Sequence, residues 1–140
     1  MTFPHGELRL NHKRILIADD EVHIVNVISL KLRIAGLEVI TAYDGLQALE
    51  LAKSECPDLL IVDYQMPGLN GLEVCLQLRA EPSTVQIPTL MLTARGMDID
   101  QDSITRAGIN MLMAKPFSPR KLLSRVEELL NAECTEQRPG

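Results

Sequence analysis

The sequence predicts a doubly wound α/β domain, a five-stranded parallel sheet with helices on both faces, (βα)₅ in chain order. Two observations predict it. Short apolar runs without polar alternation recur along the chain, as expected of strands buried on both faces. Between them lie segments whose apolar residues repeat at helical spacing and whose ends carry Gly, Pro, Ser or Asp at capping positions. At 140 residues the chain accommodates one domain with a proper core.

The first strand is Ile15–Ala18. Val22 to Ala35 follows as a helix with Ile24, Val27, Ile28, Leu32 and Ala35 on its core face, closed at Gly36. Val22 and Leu30 fall outside that face. Glu38–Ala42 is a weaker strand, and Asp44 caps a helix over 45–54 that turns Leu46, Leu49 and Ala52 inward. Leu59–Val62 is the most apolar strand. A helix from Gly71 to Ala80 presents Leu72, Cys75, Leu76 and Arg79, and stops before Pro82. Thr89–Leu92 is the fourth strand; a polar helix from Asp98 to Ala107 ends at Gly108. Met111–Ala114 leads to the last helix, 119–132, with Ser118 as cap, Pro119 in the first turn and Leu122, Leu123, Val126, Leu129 and Leu130 as its stripe. Right-handed crossovers fold these elements into a three-layer sandwich. Residues 1–13 are an N-terminal extension, 14–132 the domain, and 133–140 a flexible tail.

Composition excludes several classes. A net charge of −5 lacks the basic stripe that nucleic acid requires. Cys56, Cys75 and Cys134 have neither a disulfide framework nor a zinc-knuckle spacing, which suits a reducing cytoplasm. No stretch approaches the ~20 apolar residues of a membrane span, and the first 13 residues lack a signal-peptide core. A soluble cytoplasmic protein is the expectation. His5, His12 and His23 do not space as metal ligands, and His23 reads as a polar surface residue.

In an open α/β sheet, sites form at the carboxyl ends of the strands. Here the first run leads into Asp19-Asp20-Glu21, the third into Asp63, the fourth into Thr93 and the fifth into Lys115-Pro116. Singly, each has an ordinary reading: Asp63 as a turn residue, the acidic run as a match to the positive helix N-terminus, Thr93 as a cap, Lys115 as a solvated charge. Together they put several carboxylates on one edge. A pair of unit charges at ~4 Å costs about 4 kcal/mol at an effective dielectric near 20. Such a site calls for a cation, and hard oxygen ligands select Mg²⁺.

The segments ILIADDE, LLIVDYQMPGLNGLE, LMLTA and MAKPF, in that order over Arg14 to Ala132, resemble those of response-regulator receiver domains, which have a flavodoxin-like fold. The resemblance implies that Asp63 accepts a phosphoryl group. Asp20, Asp63 and the backbone carbonyl of Gln65 would hold Mg²⁺, with Asp19 acting through water or by orienting the site. Thr93 and Lys115 would each meet a phosphoryl oxygen. Pro116 would follow a cis peptide bond, and the turn Met66-Pro67-Gly68 with Gly71 would shape the adjacent loop. Gln65 and Arg95 would flank the pocket.

The donor implied is a histidine kinase or histidine phosphotransfer protein, docking on the first helix at Val22 and Leu30. The output would be a conformational change at Thr93 read by a downstream protein, with no nucleic acid or membrane bound by this domain. Slow self-dephosphorylation is expected, not metabolic turnover. The chain resembles the stand-alone type. One departure is evident: the family commonly places Tyr or Phe three residues before the Lys, where this chain has Leu112. Two other readings use the same residues. A hydrolase of the haloacid-dehalogenase type would carry Asp-x-Asp on the first strand and often a cap domain; a receiver-like binding module would never be phosphorylated.

Overall fold

The computed structural model describes residues 12–136, with side chains through residue 131. Five strands, β1 (Arg14–Ala18), β2 (Glu38–Ala42), β3 (Leu59–Asp63), β4 (Thr89–Ala94) and β5 (Met111–Lys115), alternate with five helices. These are α1 (Val22–Ile34), α2 (Gly45–Glu55), α3 (Gly71–Arg79), α4 (Gln101–Ala107) and α5 (Pro119–Glu136). The sheet is parallel throughout, in the order β2-β1-β3-β4-β5. The expected fold class is the one found.

Alternate residues of each central strand face opposite layers, so the unbroken apolar runs divide between two cores. Ile15, Ile17, Leu59, Ile61, Leu90 and Leu92 pack with Val25, Ile28 and Leu32 of α1 and Leu122, Val126 and Leu130 of α5. Leu16, Leu60, Val62 and Met91 pack on the other face against α2, α3 and α4, through Ala48, Ala52, Val74, Leu78 and Ala107. With both faces covered, β3 is buried along its whole length.

The helix caps follow the sequence. Asp44 accepts from Gln47 N at 2.8 Å and Ser118 from Lys121 N at 3.0 Å. Gly36, at φ +95°, turns the chain beyond α1, as the expected helix stop requires. A capping box not anticipated from the sequence starts α3, where Asn70 and Glu73 each accept from the other's backbone N–H. Helix α4 begins at Gln101 rather than Asp98, because Asp100 caps it by accepting from Ser103 N. Helix α5 runs on to Glu136, past the expected stop at Ala132. The extension up to residue 11 and residues 137–140 lie outside the described residues.

Helix rotation corrects three inward assignments. Val27 is half exposed while Val25 is fully buried, so the core face of α1 is Val25, Ile28, Ser29 and Leu32. Leu46 on α2 and Leu76 on α3 face outward, and Ala48 and Val74 take the inner places. On α2 and α3 a short or β-branched residue fits between helix and sheet, leaving the larger Leu outside. Arg79 was expected to share the apolar face of α3 and instead ties elements together. Its guanidinium donates to the carbonyls of Ala107 (2.8 Å) and Val85 (2.9 Å) and to Thr89 Oγ1 (2.7 Å). These bonds join the end of α3 to the end of α4 and the start of β4. Burial lowers its pKa, but Arg stays charged because its ordinary value is so high.

The approach of α3 to β3 requires glycine at position 71. Gly71 N–H donates to Tyr64 O at 2.8 Å, and a Cβ at Gly71 would collide with the Asp63 carbonyl. The start of α3 therefore lies directly against the end of β3. Gly71→Ala is expected to lower stability by roughly 1–3 kcal/mol through this overpacking. Urea unfolding measures it, and a midpoint equal to wild type would show that the loop absorbs the methyl without strain.

Candidate functional site

The strand order reverses between β1 and β3, since β2 lies outside β1 and the chain then crosses to β3 on its other side. A crevice opens at the carboxyl ends of these neighbours. In register, Ala18 is level with Val62, which brings Asp19, one residue on, level with Asp63. Asp63 ends β3 and is 6% exposed; Asp19 is fully buried; Asp20 is exposed. Single carboxylate oxygens of Asp19, Asp20 and Asp63 all lie within 4.8 Å of one another.

The Lys115 ammonium closes this cluster from β5. Its Nζ lies 2.8 Å from Asp19 Oδ2, 3.4 Å from Asp63 Oδ2 and 2.6 Å from Glu21 Oε1. The Lys115–Pro116 peptide bond is cis, as expected. A cleft of about 750 Å³ spreads from Asp20 and Asp63 past Gln65, Arg95 and Lys115 and along α1 to Ile24 and Val27. Thr93 is 7% exposed, on the same edge at the end of β4, where it pairs in register with Ala114; its hydroxyl makes no hydrogen bond to the cluster.

The electrostatics follow from this geometry. Burial raises the pKa of Asp63, Asp19 raises it further, and Lys115 only partly opposes, giving about 6 against an ordinary 3.8. Burial alone would lower the pKa of Lys115. Its close contacts with the carboxylates of Asp19 and Glu21 and the charge of Asp63 outweigh burial and raise it. The bond to Lys115 lowers the pKa of Glu21, against a smaller desolvation effect. Lys115 is thus the cation in direct contact with a cluster of four carboxylates, and the strain of that imbalance appears at Asp63.

Of the residues singled out in the sequence, the structure brings together Asp19, Asp20, Asp63 and Lys115, with Gln65 lining the same cleft. Leu112 lies elsewhere, 44% exposed on β5. Val22 and Leu30 are exposed on α1, together with Val27 and Ile34. Glu21 was overlooked as a site residue. Its place in an acidic triplet was the available signal, but nothing local indicates that its partner lies 94 residues away.

Fold and site together define an α/β protein with an acidic pocket at the switch point of its sheet. By its match over residues 15–127 to the response regulator receiver domain, the chain belongs to that family, the receivers of two-component signalling. It is 43% identical over 119 residues to the alkaline phosphatase synthesis transcriptional regulatory protein PhoP of Bacillus subtilis, covering 85% of this chain and 49% of that protein. A phosphate regulon transcriptional regulatory protein of Pseudomonas aeruginosa, PhoB, is 37% identical over 118 residues, 84% of this chain and 52% of that one. The chain thus spans about half the length of these curated relatives.

Among solved structures, a putative response regulator from Chloroflexus aurantiacus superposes with a TM-score of 0.79 at 38% identity, over 86% of this chain and 99% of that one. The receiver domain of a sensor histidine kinase from Pseudomonas aeruginosa superposes at 0.77 and 28% identity, over 86% and 98%. That structure has a magnesium ion coordinated in its active site cleft. No described helix is long and apolar enough to cross a membrane.

The raised pKa of Asp63 has a measurable consequence without divalent cations. Between roughly pH 4 and 6 the folded protein binds more protons at Asp63 than the unfolded chain, so stability falls as pH rises through that window. Asp63→Asn removes this cost. At pH 7 in a chelator it is expected to be more stable than wild type by on the order of 2 kcal/mol, with the difference vanishing toward pH 4. Denaturant melts at both pH values test it; a destabilised Asp63→Asn at pH 7 would mean that Asp63 is not strained.

Proposed function

We infer that the chain accepts a phosphoryl group on Asp63 from a histidine kinase or histidine phosphotransfer protein and passes the signal on by a change of shape. The observation that carries this reading is the setting of Asp63: nearly buried at the end of β3, facing Asp19 and Asp20, with Lys115 Nζ at 3.4 Å.

The donor set fits a hard divalent cation. Three carboxylates converge, and Asp19 Oδ2 is buried without a hydrogen bond, its charge met only by the ion contact to Lys115. Asp19, Asp20, Asp63 and the backbone carbonyl of Gln65 would hold Mg²⁺. The ion would supply positive charge to the transferring phosphoryl oxygens and keep Asp63 ionised.

The chain's own residues do the rest. A carboxylate oxygen of Asp63 attacks phosphorus in line, a P–O bond forms, and the P–N bond to the donor imidazole breaks with its electron pair returning to nitrogen. Lys115 meets the developing charge on one phosphoryl oxygen. Thr93, at the end of the neighbouring strand, offers its hydroxyl to another. Movement of Thr93 and the loop beyond it toward the phosphoryl group would be the output, read by a downstream protein. Leu112 stands where the family commonly has an aromatic ring, so its repacking would be smaller, or the readout would rest more on the loop after Thr93. Exposed Val22 and Leu30 of α1 would form part of the donor's docking face, extended by Val27 and Ile34.

Incubation with Mg²⁺ and acetyl phosphate, followed by intact mass, tests the reading. A transient adduct of one phosphoryl group is expected in wild type and none in Asp63→Asn. Rapid release of many equivalents of phosphate would indicate a hydrolase, and no adduct under any condition a binding module.

A further inference from the structure

We propose that Glu21 is a positioning residue for Lys115, holding its ammonium at the mouth of the pocket until charge is added at Asp63. The inference rests on the phosphoacceptor reading and concerns a residue that reading does not use. Three carboxylates share the one ammonium, at 2.6 Å (Glu21), 2.8 Å (Asp19) and 3.4 Å (Asp63). The tightest partner is also the outermost: the Glu21 side chain is 46% exposed, against 0% for Asp19 and 8% for Asp63. Among these three contacts only the one to Glu21 has hydrogen-bond geometry. In the resting protein the cation is therefore drawn outward, away from the residue whose phosphoryl group it would later meet.

The local structure shows why Glu21 can do this. It occupies the N-cap position of α1, yet its side chain makes no capping bond to the helix. A Ser, Thr, Asp or Asn there would bond back to the first turn. The longer Glu side chain reaches across to β5 instead. Its backbone is fixed by Asp19, whose Oδ1 accepts from Glu21 N at 2.9 Å, so the residue that lines the inner pocket also aims the outer carboxylate.

A half-exposed ion pair is weak and yields to a stronger partner. An acyl phosphate at Asp63 adds negative charge and acceptor oxygens on the inner side of the same ammonium. Lys115 then leaves Glu21 and moves inward, without any covalent change at either residue. Glu21 sets how readily that transfer occurs.

The test is the side-chain ammonium signal of Lys115 in ¹H–¹⁵N spectra with Mg²⁺, assigned by its loss in Lys115→Arg. Wild type is compared with Glu21→Gln, which is isosteric and keeps the backbone bond to Asp19, before and after treatment with acetyl phosphate. In the unmodified proteins the signal is expected to differ clearly between the two. After modification the two signals are expected to converge. An unshifted signal in unmodified Glu21→Gln overturns the holding role, and a difference that persists undiminished after modification overturns the release. If intact mass shows no adduct on wild type, the phosphoacceptor reading fails and the release falls with it, while the unmodified comparison still decides the holding role.

Discussion

Repulsion among carboxylates gathered at the switch point of the sheet is the constraint on which the rest of the site depends. Asp19 and Asp63 are forced level by the register of β1 against β3, and Asp20 follows directly. Little solvent reaches the inner two, so their charges are poorly screened. Lys115 relieves the repulsion only in part, which is why burial and Asp19 still push Asp63 up to about 6. A pocket in that condition favours the arrival of positive charge.

The fold supports this unfavourable arrangement with two aliphatic cores, one on each side of the sheet. Strand β3, which carries Asp63, is buried throughout, so its end is held by packing rather than by the polar groups at the site. Gly71 lets the start of α3 approach the Asp63 carbonyl closely, and Arg79 ties the other end of α3 to α4 and β4. The rigid scaffold thus fixes the inner carboxylates. Lys115 and Glu21, nearer solvent, are left as the adjustable pair.

Much of this was legible in the sequence because the relevant signals are local. Unbroken apolar runs announce strands covered on both faces, and the residue that follows each run marks the carboxyl edge. Asp19, Asp20, Asp63, Thr93 and Lys115 could be named that way. What escaped was set by tertiary packing. Helical periodicity leaves the edges of the buried face open, and the space between helix and sheet chose Val25 over Val27 and Ala48 over Leu46. The Glu21–Lys115 pair and the five bonds of Arg79 join residues far apart in the chain or bend back onto carbonyls, and neither leaves a mark in spacing.

The most direct measurement is the thermal midpoint of wild type and Asp20→Asn as Mg²⁺ is raised from chelated to millimolar concentrations. An ion that binds only the folded protein stabilises it in proportion to the logarithm of its concentration above Kd. The wild-type midpoint is predicted to climb with log[Mg²⁺], and that of Asp20→Asn to stay nearly flat. A wild-type midpoint indifferent to Mg²⁺, or an equal climb in both proteins, would contradict the claim that the converging carboxylates are there to hold a cation.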